Sequence, residues 1–270
     1  MHIEPKHLQN LYQSYCKTPL LWKNNLVSEL VQFDIPITTS FPFLRTLERQ
    51  LRLGQLAEQF VFNQLETDPT ITLLAENIQI QKGSQTLGEL DVLIRKDKQP
   101  IHLEIVYKFY VYDDTLGRTE IDCWIGPNRK DSLIEKLNKL KQKQLPLLYS
   151  SECSSTLSQL KLDHLNFEQQ VLFKAQLFVP YNKSVNFENL NKECVYGFYI
   201  HHYELELFQN CVFYIPPKLD WFLDPSDTIE WLDYKRFKDS ASTYLNNQQS
   251  PLFWLKNDSQ DLSKCFLLWW

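Results

Sequence analysis

Between residues 46 and 143 the spacing of apolar residues changes period twice, and that succession limits the fold more than any other feature of the chain. From about Thr46 to Glu66, Leu53, Leu56, Ala57, Phe60, Val61 and Leu65 recur at steps of three and four, the spacing of one helix face. After Asp68-Pro69 the period drops to two. Three strands are predicted, near 71–81, 87–95 and 100–111. A turn around Lys82-Gly83-Ser84 joins the first pair, and Lys96-Asp97-Lys98-Gln99 closes the second as a short hairpin. Pro127-Asn128 then opens a basic helix running to about Lys143. Helix, three strands, helix is a mixed α/β unit.

The flanks are less regular. Leu8, Leu11, Tyr12 and Tyr15 have helical spacing that Pro19 ends, and 25–33 repeats the pattern before Pro36. Asn166 is placed to cap a helix through about Gln176. Tyr196–Phe208 and Cys211–Ile215 read as aromatic-rich strands, Leu252–Leu255 and Cys265–Trp270 as another pair, with helical spacing between Ser226 and Leu245. The expected organisation is an N-terminal helical segment (1–45), a central core (46–150) and a C-terminal α+β elaboration packed on it (151–270).

Composition narrows the function. A chain of 270 residues, 43% hydrophobic and 14% aromatic, has enough apolar surface for a substantial core. Its net charge of −5 gives no global attraction to nucleic acid or anionic membranes, so a polyanion would need a local basic patch or a metal ion. There is no signal-peptide pattern at Met-His-Ile-Glu-Pro-Lys and no apolar run near the roughly 18 residues that span a bilayer. The six cysteines show no CxxC spacing, as expected of buried, reduced thiols in a soluble cytoplasmic protein. Five of the seven tryptophans (Trp221, Trp231, Trp254, Trp269, Trp270) crowd the last fifty residues. They suit packing of that region, or a surface for a partner or stacked bases.

Polar groups stand on strands that should be core. In the second strand, alternation sets Glu89, Asp91, Leu93 and Arg95 on one face; in the third it groups His102, Glu104, Val106, Lys108 and Tyr110. A sheet with one wet face carries such alternation routinely. Glu58, however, borders the apolar stripe of the preceding helix, where an acid needs a partner. A cation shared with Asp91 and Glu104 would be one.

This constellation resembles the PD-(D/E)XK endonuclease superfamily: a helix glutamate (Glu58), a second-strand acid (Asp91), a third-strand acid (Glu104), then a helix. The resemblance implies a restriction-endonuclease-like αβββαβ core in which Asp91 and Glu104 ligate Mg²⁺ or Mn²⁺. Glu58 would be an orienting or water-mediated ligand, and a lysine would act on the attacking water. Two positions depart from the pattern. Leu90 replaces a proline, and Val106 stands where the lysine is expected, the nearest being Lys108. Residues 104 and 108 lie about 13 Å apart along a regular strand, so Lys108 would need a bulge or bend to serve.

Gly88-Glu-Leu-Asp91, His102-Leu-Glu104 with Lys108-Phe-Tyr110, Gly126-Pro-Asn128, Leu177-Phe178 with Pro180, Gly197 and Pro216-Pro-Lys218-Leu-Asp-Trp221 are also similar to a bacterial family, domain of unknown function 1853. In that family the four-residue step from acid to lysine is the usual form.

The basic helix carries Arg129, Lys130, Lys136, Lys139, Lys141 and Lys143 against Asp131 and Glu135, with Leu133, Leu137 and Leu140 as its buried stripe. It is either an ordinary solvated face or a phosphate-contacting one, with Arg129, Lys136, Lys139 and Lys143 as the nucleic-acid contacts. His102 shares the face of Glu104, whereas His201-His202 cannot share a metal on a regular strand. No Ser-His-Asp order, P-loop or dinucleotide glycine pattern is present. The expected function is metal-dependent phosphodiester hydrolysis in DNA or RNA. The alternative is a catalytically silent module of the same fold that binds nucleic acid or a protein partner.

Overall fold

The computed structural model describes residues 3–23, 27–35 and 42–270. In chain order the elements are α1 (Pro5–Lys17), α2 (Leu53–Thr67), β1 (Ile71–Lys82), β2 (Gln85–Lys96), β3 (Gln99–Tyr112) and β4 (Trp124–Ile125). Next come α3 (Leu133–Lys139), a π-helical turn (Leu140–Gln144), α4 (Leu145–Leu147), α5 (Ser151–Gln159) and β5 (Glu168–Pro180). The chain closes with β6 (Val195–His201), β7 (Val212–Tyr214), α6 (Tyr234–Asn246), β8 (Leu252–Lys256) and β9 (Leu262–Leu268). Helices with both parallel and antiparallel strand pairs make the mixed α/β class expected from the sequence.

Several boundaries differ from the sequence reading. Helix α2 begins at Leu53, seven residues later than expected; Gln55 closes its first turn by accepting the Arg52 backbone N–H at 3.2 Å. The described part of 25–33 is turn and bridge, with Gln32 bridging Val171; residues 24–26 lie outside the described residues. Residues 168–180 form a strand where a helix was expected. The run from Val171 to Phe178 is buried on both faces and so has no helical polar side. The strand predicted to Phe208 stops at His201 and continues as a 3₁₀ helix, and the basic helix starts only at Leu133.

By contacts the chain divides into two units. The first takes residues 20–107 and 135–174. Here β1, β2 and β3 form an antiparallel meander, with Ile78 opposite Leu90 and Val92 opposite Leu103. Ile78, Ile80, Leu90 and Leu93 pack with Leu148, Cys153, Leu162 and Phe167. Helix α2 buries Leu56, Ala57, Phe60, Val61 and Leu65 almost completely, each large side chain contributing roughly 1.5–3 kcal/mol. Gln32 clamps the Phe173 backbone, donating to its carbonyl at 3.3 Å and accepting its N–H at 3.0 Å.

The second unit takes residues 3–19, 108–134 and 175–270. In it β5, β6 and β9 pair in parallel, and β9, β8 and β7 antiparallel. Gly197 lies where any Cβ would collide with the Lys264 carbonyl of β9. Helix α6 covers this sheet by stacking Phe237 on Phe213, ring centres 4.3 Å apart. The tryptophan-rich tail contributes to this core: Trp254 is buried, and Trp221 meets Phe109 and Phe266 edge-on at 5.2 and 5.1 Å. No described helix is long and apolar enough to cross a membrane.

Candidate functional site

The first unit gathers its acids where two strands part. Strands β2 and β3 pair as far as Val92 and Leu103. One step further the same register would set Asp91 across from Glu104, two like charges face to face, and there the ladder ends. The opening leaves the Ile105 N–H without a strand partner, and the Asp91 carboxylate accepts it at 2.7 Å. Glu58 comes in from α2. Burial is the largest influence on both Asp91 and Glu58. It pushes the Asp91 carboxyl well above the usual carboxylate range, helped by the charges of Glu104 and Glu58. Glu58 is raised to about 7, by burial first and then by Glu89 and Glu104. Three carboxylates from three elements therefore act on one another, with Lys136 of α3 the cation that offsets them at both Glu58 and Asp91.

Glu104 is fully buried and held at both oxygens. Lys136 can only donate, and its ammonium meets Gln144 Oε1 at 2.7 Å, which turns the Gln144 amide nitrogen toward Glu104 Oε2 at 2.5 Å. On the other side, Gln169 Nε2 donates to the Leu145 carbonyl at 2.5 Å and to His102 Nδ1 at 3.2 Å. His102 Nδ1 is thereby an acceptor, so the ring carries its proton on Nε2 and donates it to Glu104 Oε1 at 3.0 Å. The chain Lys136–Gln144–Glu104–His102–Gln169 has one self-consistent set of donors, running inward from both ends, and it makes Glu104 an acceptor twice over.

A family model described as "Domain of unknown function (DUF1853)" matches residues 3–266. The chain belongs to the DUF1853 family. No curated protein and no solved structure matches it.

In this DUF1853 chain the sequence-predicted residues fall into two groups. Glu58, Asp91, Glu104 and Lys136 are brought into one cluster in the first unit. Lys108 belongs to the second unit, where its ammonium is bound by Asp131 at 2.5 Å, and it is not among the charges that act on Asp91 or Glu58. Arg129 also lies in the second unit, over the Trp270 ring at 4.2 Å and 3.5 Å from Asp113. Lys139 and Lys143 are exposed on the first unit, while Lys141 between them pairs with Glu29 at 2.9 Å. Sequence reasoning missed Gln144 and Gln169, because a neutral amide in a polar stretch carries no pattern. Gln169 stands beside Gln170 ahead of the apolar run, and nothing in the sequence tells the two amides apart.

Among the described residues no three His, Cys, Asp or Glu side chains form a ready-made metal cage. Mg²⁺ does not require one; it is commonly held by one or two carboxylates together with water and substrate phosphate. The donor set fits such a site: hard oxygen ligands, a like-charged pair at the parting of β2 and β3, and one lysine against three acids.

Proposed function

We propose that this DUF1853 protein is a metal-dependent phosphodiesterase acting on nucleic acid, with Asp91 and Glu104 as the metal ligands. The observation that carries the reading is the convergence of the half-buried Glu58 and Asp91 with the buried Glu104 in one cluster whose negative charge a single lysine offsets. The chain order helix, three strands, helix, strand, with β5 following β3 in the sheet, supports a restriction-endonuclease-like core. A bound Mg²⁺ or Mn²⁺ would neutralise the scissile phosphate and lower the pKa of a coordinated water.

The chain's own groups do the rest. Gln144 and His102 hold the Glu104 carboxylate in one orientation, and Ile105 does the same for Asp91. Glu58, titrating near 7, is suited to exchange a proton with water at the site. Lys136 is placed to offset developing charge, and the exposed Lys139 and Lys143 on the same stretch of chain suit contacts to a phosphate backbone. A second reading, a catalytically silent binding module, is favoured by one observation: both Glu104 oxygens already accept hydrogen bonds.

Calorimetric titration of Mg²⁺ and Mn²⁺ into wild type, Asp91→Asn and Glu104→Gln decides between them. It is paired with cleavage assays on plasmid DNA, single-stranded DNA and RNA. Saturable heat lost in both variants, with cleavage falling on the order of a hundredfold or more, is the expected result. Metal binding in wild type without turnover selects the silent module. No heat, or heat that survives both substitutions, overturns the metal site.

A further inference from the structure

Two sequence segments unused by the acid cluster, Gly126-Pro127-Asn128 and Pro216 to Trp221, meet in the second unit around one cavity of about 350 Å³. Its lining includes Asn128, Pro217, Lys218, Trp221, Tyr244 and Ser250. The volume lies at the small end of small-molecule sites. The walls are built, not incidental. Asn128 Oδ1 accepts the Ser250 N–H at 2.7 Å, and Ser250 Oγ donates to the Pro127 carbonyl at 2.7 Å. A side chain at Gly126 would strike Asp131. On the far side Asp220 is fixed by His7 of α1 at 2.8 Å, next to Trp221, which is buried against Phe109 and Phe266.

Lys218 is the chemically active member. Lys218 is exposed as a residue, and its ammonium lies 3.0 Å from the centre of the Trp221 ring and 5.6 Å from that of Phe109. Among the described residues no carboxylate is within ion-pairing distance of it. Asp131, which does attract it, is bound by Lys108 at 2.5 Å, and Lys108 itself repels it. Asn128 uses its oxygen on Ser250, so its amide nitrogen remains as a donor at the wall. Lys108 and Asp131 offset each other, which leaves the Lys218 ammonium and the Asn128 amide as the donors at the cavity wall. Burial without an anion holds Lys218 at a pKa of about 7.

We propose that this cavity binds a small phosphate monoester, with Lys218 as the group that pairs with the phosphate and Asn128 as a neutral donor beside it. A phosphate monoester carries close to two negative charges at neutral pH and several acceptor oxygens, so one molecule can meet both the Lys218 ammonium and the Asn128 amide. The apolar walls of Pro217, Trp221 and Tyr244 suit a body no larger than a nucleoside. The inference stands apart from the phosphodiesterase reading, since no residue of the acid cluster takes part.

The test is titration of the full chain with inorganic phosphate, adenosine monophosphate and uncharged adenosine, followed by calorimetry and by tryptophan fluorescence. Saturable binding of the two phosphates and none of adenosine is expected. Lys218→Met removes the ammonium and should weaken phosphate binding on the order of ten- to a hundredfold, while Lys218→Arg retains most of it. Circular dichroism verifies that each variant is folded. Asp91→Asn should bind phosphate as wild type does, which separates failure of this site from failure of the metal site. No saturable response to either phosphate in wild type overturns the proposal, and so does binding that Lys218→Met leaves unchanged.

Discussion

The two units hold opposite versions of one electrostatic problem. In the first, carboxylates are drawn out of water beside each other and their pKa values rise, Glu58 to about 7. In the second, lysines are drawn out of water and theirs fall, Lys218 and Lys264 both to about 7. Desolvation is the largest cause throughout, and only the sign of the buried charge differs. The solutions differ too. Lys264 is satisfied by the chain itself, donating to the carbonyls of Trp221 and Leu223 at 2.6 and 2.8 Å. The acid cluster and Lys218 are left with charge that their own surroundings do not balance. A buried imbalance of this kind lowers stability in the absence of a ligand, and a ligand of opposite charge would recover it.

The largest effect is expected where one cation serves several acids. Lys136→Met removes the charge that offsets both Asp91 and Glu58 and leaves Gln144 without its donor. At pH 8 it should cost about 2–4 kcal/mol in urea unfolding, as for a buried group stripped of its partner. Lys108→Met, which only releases Asp131, should cost under about 1 kcal/mol, since that pair is over a third exposed at each end. Equal costs would break the distinction between the two lysines.

Glu58→Gln should act in the reverse direction. A carboxyl raised from 4.5 to about 7 binds its proton more tightly in the folded chain. Stability is therefore lost as pH rises between about 4.5 and 7, and the loss is complete above 7. The substitution should stabilise the metal-free protein by about 1–2 kcal/mol at pH 8, after allowance for partial solvent screening, and change little at pH 4. Saturating Mg²⁺ should shrink that gain. A destabilised Glu58→Gln at pH 8 would mean that the carboxylate is well solvated, and the comparison between the units would lose its first half.

How far these features could be read from the sequence follows from what sets each of them. The meander of β1 to β3 was legible within a few residues because apolar and polar residue types alternate along much of it, even in β3, whose polar members His102 and Glu104 are buried. Asp91 and Glu104 were legible as a pair for the same reason: alternation fixes the face and the hairpin fixes the register. Strand β5 was not, because Val171, Leu172 and Phe173 are consecutive apolar residues and such a run shows no alternation. The relay through Gln144 was hidden as well. It depends on a π-helical turn that aims an amide at Glu104, and nothing in Leu140–Gln144 distinguishes that turn from an ordinary helix end. The direction of the His102 hydrogen bond needed Gln169, sixty-seven residues away.

The smallest expected effect tests the other half of the comparison. Lys218 has a folded pKa below its unfolded value, so between about 7 and 10.5 the unfolded chain binds more protons and stability rises with pH. Lys218→Met should therefore stabilise the ligand-free protein at pH 6, by less than about 1 kcal/mol because the residue is exposed, and have no effect at pH 11. Phosphate should mask the gain, as Mg²⁺ masks that of Glu58→Gln, yet neither ligand should mask the other's. With both variants in hand, the wild-type curve of unfolding free energy against pH resolves into two limbs. One falls as pH rises and is reduced by Glu58→Gln, with Asp91 supplying what remains; the other rises above 7 and is reduced by Lys218→Met, with Lys264 supplying the rest. A rising limb that Lys218→Met leaves intact would assign all of it to Lys264, and the Lys218 ammonium would then be solvated instead of held against Trp221.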